Sequence, residues 1–459
     1  MKKINQSHCY FIIILLTILF QSCEEWIEPD FPDSQLGTVQ VFEDVQTARA
    51  AIAGLCASLR DHSVISGNAI GTGALLGSYT DDLTCFYEDN NGYTDLYQNQ
   101  QLATNTTIAR LWDLSYQQIY AANSIVVGLD NSISLSPEEK DVLKGEAIFI
   151  RSLIYFYLQR IFGKIPYTTE LDYEYNSHLH KLSEEELLTQ LISDLGEANA
   201  LLKDDYRNYE RIYPNRKTSE LLLAKVYLEL GNWSQAEDLA NNIIQSGLYS
   251  FQSDINEVFH NSGTHILWQF QTPYPGATTE EASLYYFEES TPLSYALTNN
   301  LLTAFEENDL RLQTWITPVT FNGFTWYRNS KYKNIEGANT NEYSIVFRLA
   351  EVYFVMAESL ARQGRTEEAL PYLNAIRQRA GLPTLTTMPQ SEFLQMVLLE
   401  KRREFFAESG HRFFDLKRFG QLNSLSSLKP NWKPFHRVWP LPQKELLLNE
   451  NLKPQNEGY

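Results

Sequence analysis

Residues 221–236 read Leu221-Leu222-Leu223-Ala224-Lys225-Val226-Tyr227-Leu228-Glu229-Leu230-Gly231-Asn232-Trp233-Ser234-Gln235-Ala236. Small residues stand at 224, 231 and 236, and the same spacing returns at Ala357, Gly364 and Ala369 in AESLARQGRTEEAL. Two antiparallel helices joined by a glycine turn account for both stretches. The alanines let the helix axes approach, and the glycine supplies the left-handed residue that ends the first helix.

This is the pattern of a tetratricopeptide helical hairpin. The copies lie 133 residues apart (224 to 357), so the helical units are interrupted, and residues 271–343 have the texture of the interruption. Helical spacing recurs elsewhere. Ala147, Ile150, Ile154, Tyr157 and Ile161 make one apolar stripe, and Val346, Leu349, Tyr353, Met356 and Leu360 another. Ser136-Pro137-Glu138-Glu139, Ser183 with Glu186, and Ser234 with Glu237 predict capped helix starts. Ile266, Trp268 and Phe270 alternate with Leu267, Gln269 and Gln271, which predicts a short, half-buried strand.

The chain of 459 residues carries 37 Lys+Arg against 57 Asp+Glu, a net charge of −20. Nucleic-acid binders need a basic footprint, so this balance argues against nucleic acid as a partner. The segment Lys401 to Arg418 is locally basic, but its cations alternate with Glu404, Glu408 and Asp415, which predicts a salt-laced amphipathic helix pair.

Lys2 and Lys3 precede the apolar run Tyr10–Phe20. Eleven residues are too few to span a bilayer, which takes about 20, but suit the core of a secretory signal peptide. Phe20-Gln21-Ser22-Cys23 is similar to a bacterial lipobox, so residues 1–22 are expected to be removed and Cys23 to be lipidated. Residues 23–40, acidic and proline-bearing, read as a tether to the anchor. Cys56 and Cys85 remain in the fold, either paired or as two free thiols. There is no CxxC and no Cys/His cluster, so no metal site is expected.

Aromatic side chains are the unusual feature. Residues 271–332 hold 12 of them among Pro, Gly, Asn, Thr and Glu, and Tyr79, Phe86, Tyr87, Tyr93 and Tyr97 cluster near Asp81, Asp82, Asn90 and Asn91. Rings beside short polar side chains suit saccharides, whose apolar faces stack while their hydroxyls take hydrogen bonds. The alternative is that the loops fold back and bury the rings in satellite cores. The expected ring contacts are Tyr87, Tyr93, Tyr97, Trp326 and Tyr327, with Asp82, Asn90 and Asn91 as hydroxyl partners. Trp268 and Trp315 are assigned to the core.

Catalytic patterns are missing. Gly71-Thr72-Gly73-Ala74-Leu75-Leu76-Gly77 lacks dinucleotide-loop spacing and reads as a glycine turn. There is no GxSxG, HExxH or phosphate loop, and His178 and His180 fall in a loop open to solvent. Asp81-Asp82, Glu288-Glu289 and Glu306-Glu307 could supply a glycosidase pair only if folding set the right separation. No enzyme activity and no cofactor are expected.

Taken together these residues resemble the SusD/RagB-like outer-membrane nutrient-binding lipoproteins of Bacteroidetes. The resembling segments, in order, are VFEDVQTARAAIAGL (41–55), WDLSYQQIYAANSIVVGL (112–129), GEAIFIRSLIYFYLQRIFGKIP (145–166), NNLLTAFEENDLR (299–311), Lys331-Tyr332-Lys333, RLAEVYFVMA (348–357), AIRQRAGLP (375–383), EKRREFFAESGHRFFDLKRFG (400–420) and WPLPQKEL (439–446). The terminus departs from the family's usual prolines at Glu450 and Glu457. The resemblance implies a mainly α fold, a right-handed superhelix of tetratricopeptide-type hairpins with a loop-rich ligand-binding subdomain and a few short strands. It divides the mature chain into an N-terminal helical region (41–270), the aromatic insertion (271–343) and a C-terminal region with the last hairpin (344–459). It further implies a cell-surface protein, lipid-anchored in the outer membrane, that hands an oligosaccharide, or alternatively a peptide, to a SusC-like TonB-dependent transporter. A surface glycosidase and a repeat scaffold that binds only protein are the rival readings.

Overall fold

The computed structural model describes residues 38–88 and 92–459. The expected signal peptide, Cys23 and most of the tether lie outside them, as do Asn90 and Asn91. A row of helices forms the scaffold: α1 (Val45–His62), α4 (Thr106–Asn131), α5 (Pro137–Phe162), α6 (Glu184–Leu201), α7 (Arg216–Glu229), α8 (Trp233–Gln245), α11 (Leu349–Arg362), α12 (Thr366–Arg379) and α13 (Gln390–Phe405). Each packs on the next. Short helices α2 (Thr72–Tyr79), α3 (Tyr93–Tyr97), α9 (Glu280–Tyr285), α10 (Leu310–Thr314), α14 (His411–Arg418) and α15 (Gln443–Leu448) complete the set used below.

Both small-residue repeats are helical hairpins, α7–α8 and α11–α12. Gly231 and Gly364 turn them at φ +74° and +81°, while Ala224, Ala236, Ala357 and Ala369 are fully buried. Although 133 residues separate the repeats (224 to 357), α8 packs directly on α11. Both oxygens of Glu237 on α8 accept from Arg365, the residue before α12, at 2.8 Å. The interruption is therefore one of sequence alone.

Several expectations change once the elements pack. Helix α5 carries the predicted stripe but is buried on all sides from Gly145 to Phe162, because α4 and α6 pack along it. Its buried charged residues are matched: Arg151 with Asp194 at 3.2 Å, Arg160 with Glu229 at 2.9 Å, and Glu146 with Arg207 at 2.8 Å. Val346 belongs to a strand, and the helix predicted to include it starts at Leu349. Capping boxes close at Ser136–Glu139 and Ser183–Glu186, whereas Ser234 lies inside α8, which begins after Asn232. The stretch after Gly71 is helix α2 and not a turn. Its glycines serve close packing, since a Cβ on Gly73 would lie 2.6 Å from the Ala407 carbonyl oxygen.

The basic segment forms the helix pair α13–α14, yet Glu400, Lys401, Arg402, Arg403 and Glu404 are buried. Glu400 accepts from Arg311 at 2.7 Å, Arg377 at 2.6 Å and Arg403 at 2.8 Å. Glu404 pairs with Arg348 and lies 2.6 Å from Arg379. These arginines hold its carboxyl well below the usual carboxylate range despite its burial. The charges alternate because they meet partners from four different elements, so the helix is no ordinary amphipathic one.

Six of the eight strands among the described residues are used below: β1 (Leu83–Cys85), β2 (Ile266–Phe270), β3 (Tyr295–Leu297), β4 (Ile316–Phe321), β5 (Phe324–Asn329) and β6 (Ser344–Arg348). β2 pairs antiparallel with β6 and is buried on both faces, more than its alternation predicted. Its Trp268 is core, as is Trp315. The insertion builds a second core around Tyr285, Tyr295, Trp315 and Tyr332, drawing in Leu83, Ile255, Phe259 and Phe406 from outside it. About half of its rings are thus satellite core, the alternative stated above. Cys56 and Cys85 are both free thiols.

Candidate functional site

The second sheet has the order β1-β3-β5-β4, and it joins the two aromatic segments that the sequence keeps about 230 residues apart. Leu83 faces Leu297 and Cys85 faces Tyr295 across β1–β3. Leu297 faces Tyr327 across β3–β5, and Val319 faces Trp326 across β5–β4. Because side chains alternate along a strand, neighbours Trp326 and Tyr327 go to opposite faces. Tyr327 packs against the insertion core. Trp326 instead joins Phe86, Phe287, Ala296 and Val319 on the other face.

That outer face is an aromatic platform. Asn322 and Gly323, at φ +50° and +80°, make the tight turn between β4 and β5, a conformation that Asn-Gly favours. The turn sets Phe321 opposite Phe324 and leaves Phe324 67% exposed. The ring centroids of Phe324 and Trp326 are 6.0 Å apart and tilted by 36°. Two residues on along β5, the Arg328 guanidinium lies 4.8 Å from the ring centre of Tyr286 and donates to the Phe287 carbonyl at 3.0 Å. Arg328 also lines a cavity of about 200 Å³ with Tyr286, Thr317, Asn329, Ser330 and Lys333. Rings at one end and charged and hydroxyl groups at the other make a surface able to stack a sugar and bond its substituents.

Trp326 is partly buried on this outer face, and the other residues expected as contacts stand elsewhere. Tyr87 and Tyr93 stack on each other at 4.9 Å and 27°, and Tyr87 meets the Tyr295 ring edge-on at 5.4 Å. One packs against the insertion core and the other against the helical core, so the pair joins the two. The Tyr97 ring centre lies 4.1 Å from the Lys429 ammonium, whose pKa burial pushes down to about 8. Asp82 is corrected outright as a hydroxyl partner: it is 1% exposed and its Oδ1 accepts from Arg402 Nε at 2.8 Å. The sequence reading did not single out Phe324, Tyr286 or Arg328, which stand on or beside the outer face. The period-two series Phe324, Trp326, Arg328 after Asn322-Gly323 was the signal that could have found two of them, Phe324 and Arg328.

Each carboxylate pair considered for glycosidase chemistry has at least one member engaged by the protein. Asp81 accepts from Arg412 at 2.9 Å, Glu306 from Arg377 and Arg403 at 2.8 Å, and Glu288 from the Tyr286 hydroxyl. His178 and His180 are exposed. Among the described residues no group of three or more His, Cys, Asp or Glu could hold a metal ion, and no helix is long and apolar enough to cross a membrane.

Comparison with known proteins agrees with this architecture. The model of the SusD family matches residues 303–459, and a model described as starch-binding, associating with outer membrane, matches residues 30–228. SusD-like protein P25 of Formosa agariphila is 24% identical over 98% of this chain and 99% of its own length. Starch-binding protein SusD of Bacteroides thetaiotaomicron is 24% identical over 72% of this chain and 75% of its own. Among solved structures, a laminarin-binding SusD-like protein superposes with a TM-score of 0.77 at 21% identity, covering 90% of this chain and 99% of that one. Surface glycan-binding protein A of Bacteroides thetaiotaomicron, in complex with laminarihexaose, gives 0.75 at 18% identity over 90% and 99%. With family models matching residues 30–228 and 303–459 and a relative aligned over 98% of the chain, this protein belongs to the SusD/RagB-like family.

Proposed function

We propose that this protein captures an oligosaccharide at the cell surface without altering it, and passes it to a SusC-like TonB-dependent transporter in the outer membrane. The observation that carries the reading is the outer face of the four-stranded sheet, where Phe324 and Trp326 present rings 6.0 Å apart beside the cavity lined by Arg328. An aromatic sheet face held on a rigid helical scaffold is suited to stacking sugars. Glycan binding by the starch- and laminarin-binding relatives supports the same reading. Outer-membrane association is supported by the matching model of residues 30–228, and lipidation of Cys23 would supply the anchor.

The test is a glycan and peptide array probed with the soluble chain starting after Cys23, with calorimetry and product analysis on each hit. Saccharide binding with heat and no product is the expected result. Product release would favour a glycosidase, and peptide hits alone would overturn the saccharide assignment. Co-purification with a SusC-like transporter from the native membrane tests the hand-over; a chain that never associates with a barrel would refute that step.

A further inference from the structure

The cavity at the end of the aromatic platform has an electrostatic character opposite to that of the whole chain. The net charge is −20, yet the residues around this space of about 200 Å³ include Arg328 and Lys333 and no carboxylate. Neither cation forms an ion pair among the described residues, although most arginines of the fold do.

The guanidinium of Arg328 is held in place. The Tyr286 ring lies 4.8 Å from it, Nη1 donates to the Phe287 carbonyl at 3.0 Å and Nε approaches the Ser330 hydroxyl at 3.4 Å. Neighbouring acids are committed elsewhere. Glu342 accepts from the backbone N–H groups of Lys333 and Asn334 at 2.9 and 3.0 Å. Glu336 takes the Tyr274 hydroxyl at 2.8 Å, and Glu288 takes that of Tyr286. A fixed guanidinium and a free ammonium facing one open space form an anion receptor. The guanidinium gives directional, charge-assisted hydrogen bonds and the ammonium a point charge. On an acidic protein such a spot also concentrates the local positive field that an anion needs in order to approach.

We propose that this cavity receives an anionic substituent, a carboxylate or a sulfate ester, on the saccharide whose ring stacks on Trp326. The ligand is then an acidic glycan. The inference rests on the saccharide reading above and narrows it.

Calorimetry on the wild-type chain and on Arg328→Gln and Lys333→Gln tests it. The probes are oligogalacturonate and its neutral methyl ester, a carrageenan oligosaccharide and its desulfated form, and neutral laminarihexaose. Binding of one acidic probe is expected, weakened about tenfold by masking its charge or by Arg328→Gln, with unfolding midpoints unchanged. Added salt should weaken that probe and leave neutral ones alone. The uronate and sulfate arms show which anion is recognised. Neutral probes that bind as well as acidic ones, or an Arg328→Gln affinity within about twofold of wild type, would overturn the inference and leave the saccharide reading standing. Failure of every saccharide to bind would overturn both.

Discussion

Arg402 and Asp82 are 320 residues apart in sequence, yet the Arg402 Nε donates to the Asp82 Oδ1 at 2.8 Å inside the protein. The contact ties β1, the first strand of the aromatic sheet, to α13 of the scaffold. Arg402 keeps Asp81 at 3.0 Å and Asn300 at 2.8 Å, so losing Asp82 removes one charge-assisted hydrogen bond without stranding the guanidinium, a cost of about 1–3 kcal/mol. Asp82→Ala should therefore lower stability on that scale in denaturant titration and leave saccharide affinity unchanged. Normal stability with lost binding would return Asp82 to the ligand surface.

Trp326 and Tyr327 are adjacent but face opposite ways, so their substitutions should separate. Trp326→Ala is expected to weaken saccharide binding by about 1 kcal/mol or more, the scale of one good aromatic contact. Tyr327→Ala should instead lower stability by about 1–2 kcal/mol through lost packing. Calorimetry and thermal unfolding on both variants decide it, and equal effects on binding would refute the two-faced sheet.

Two glycines should fail for different reasons. Gly364 turns at φ +81° with open space where its Cβ would go. Alanine there should cost about 1–2 kcal/mol, and asparagine, which tolerates that conformation, should restore part of the loss. At Gly73 the Cβ would lie 2.6 Å from the Ala407 carbonyl oxygen, a clash with backbone that asparagine can only worsen. Denaturation of the four variants provides the comparison; rescue by asparagine at Gly73 would contradict it.

Glu281 gives a signed pH dependence. It lies half-buried beside Gly67, accepts from the Ser344 hydroxyl at 2.6 Å, and desolvation pushes its pKa up to about 7. Between the unfolded value, about 4.5, and about 7 the folded state binds the extra proton, so this group's contribution falls as pH rises. Glu281→Gln, which mimics the protonated acid, should match wild type near pH 4.5 and exceed it by on the order of 3 kcal/mol above pH 7. Stability curves measured from pH 4 to 8 would show the gap widening; a constant gap would refute the assignment.

The hairpins were legible because their cause is local. Ala224, Gly231 and Ala236 state in themselves that two helices approach and turn, and Gly364 repeats the statement. The platform was only half legible. An alternating strand shows which residues share a face but not which face meets the core, so Trp326 and Tyr327 were chosen together. Asp82 misled for a related reason: beside loop-like residues its carboxylate reads as solvated, and its partner Arg402 stands on a distant helix.

The sequence by itself determined the helical hairpins, most of the helix caps, the aromatic-rich insertion and the family resemblance, since these depend on spacing, residue type and local backbone preference. Tertiary structure decided that the two hairpins stack as one scaffold, that Glu400 and Glu404 are buried among arginines, and which rings face outward. Those outcomes depend on contacts between residues far apart along the chain. A ring or a charge costs or stabilises according to what is packed against it, and only the folded chain supplies that neighbour.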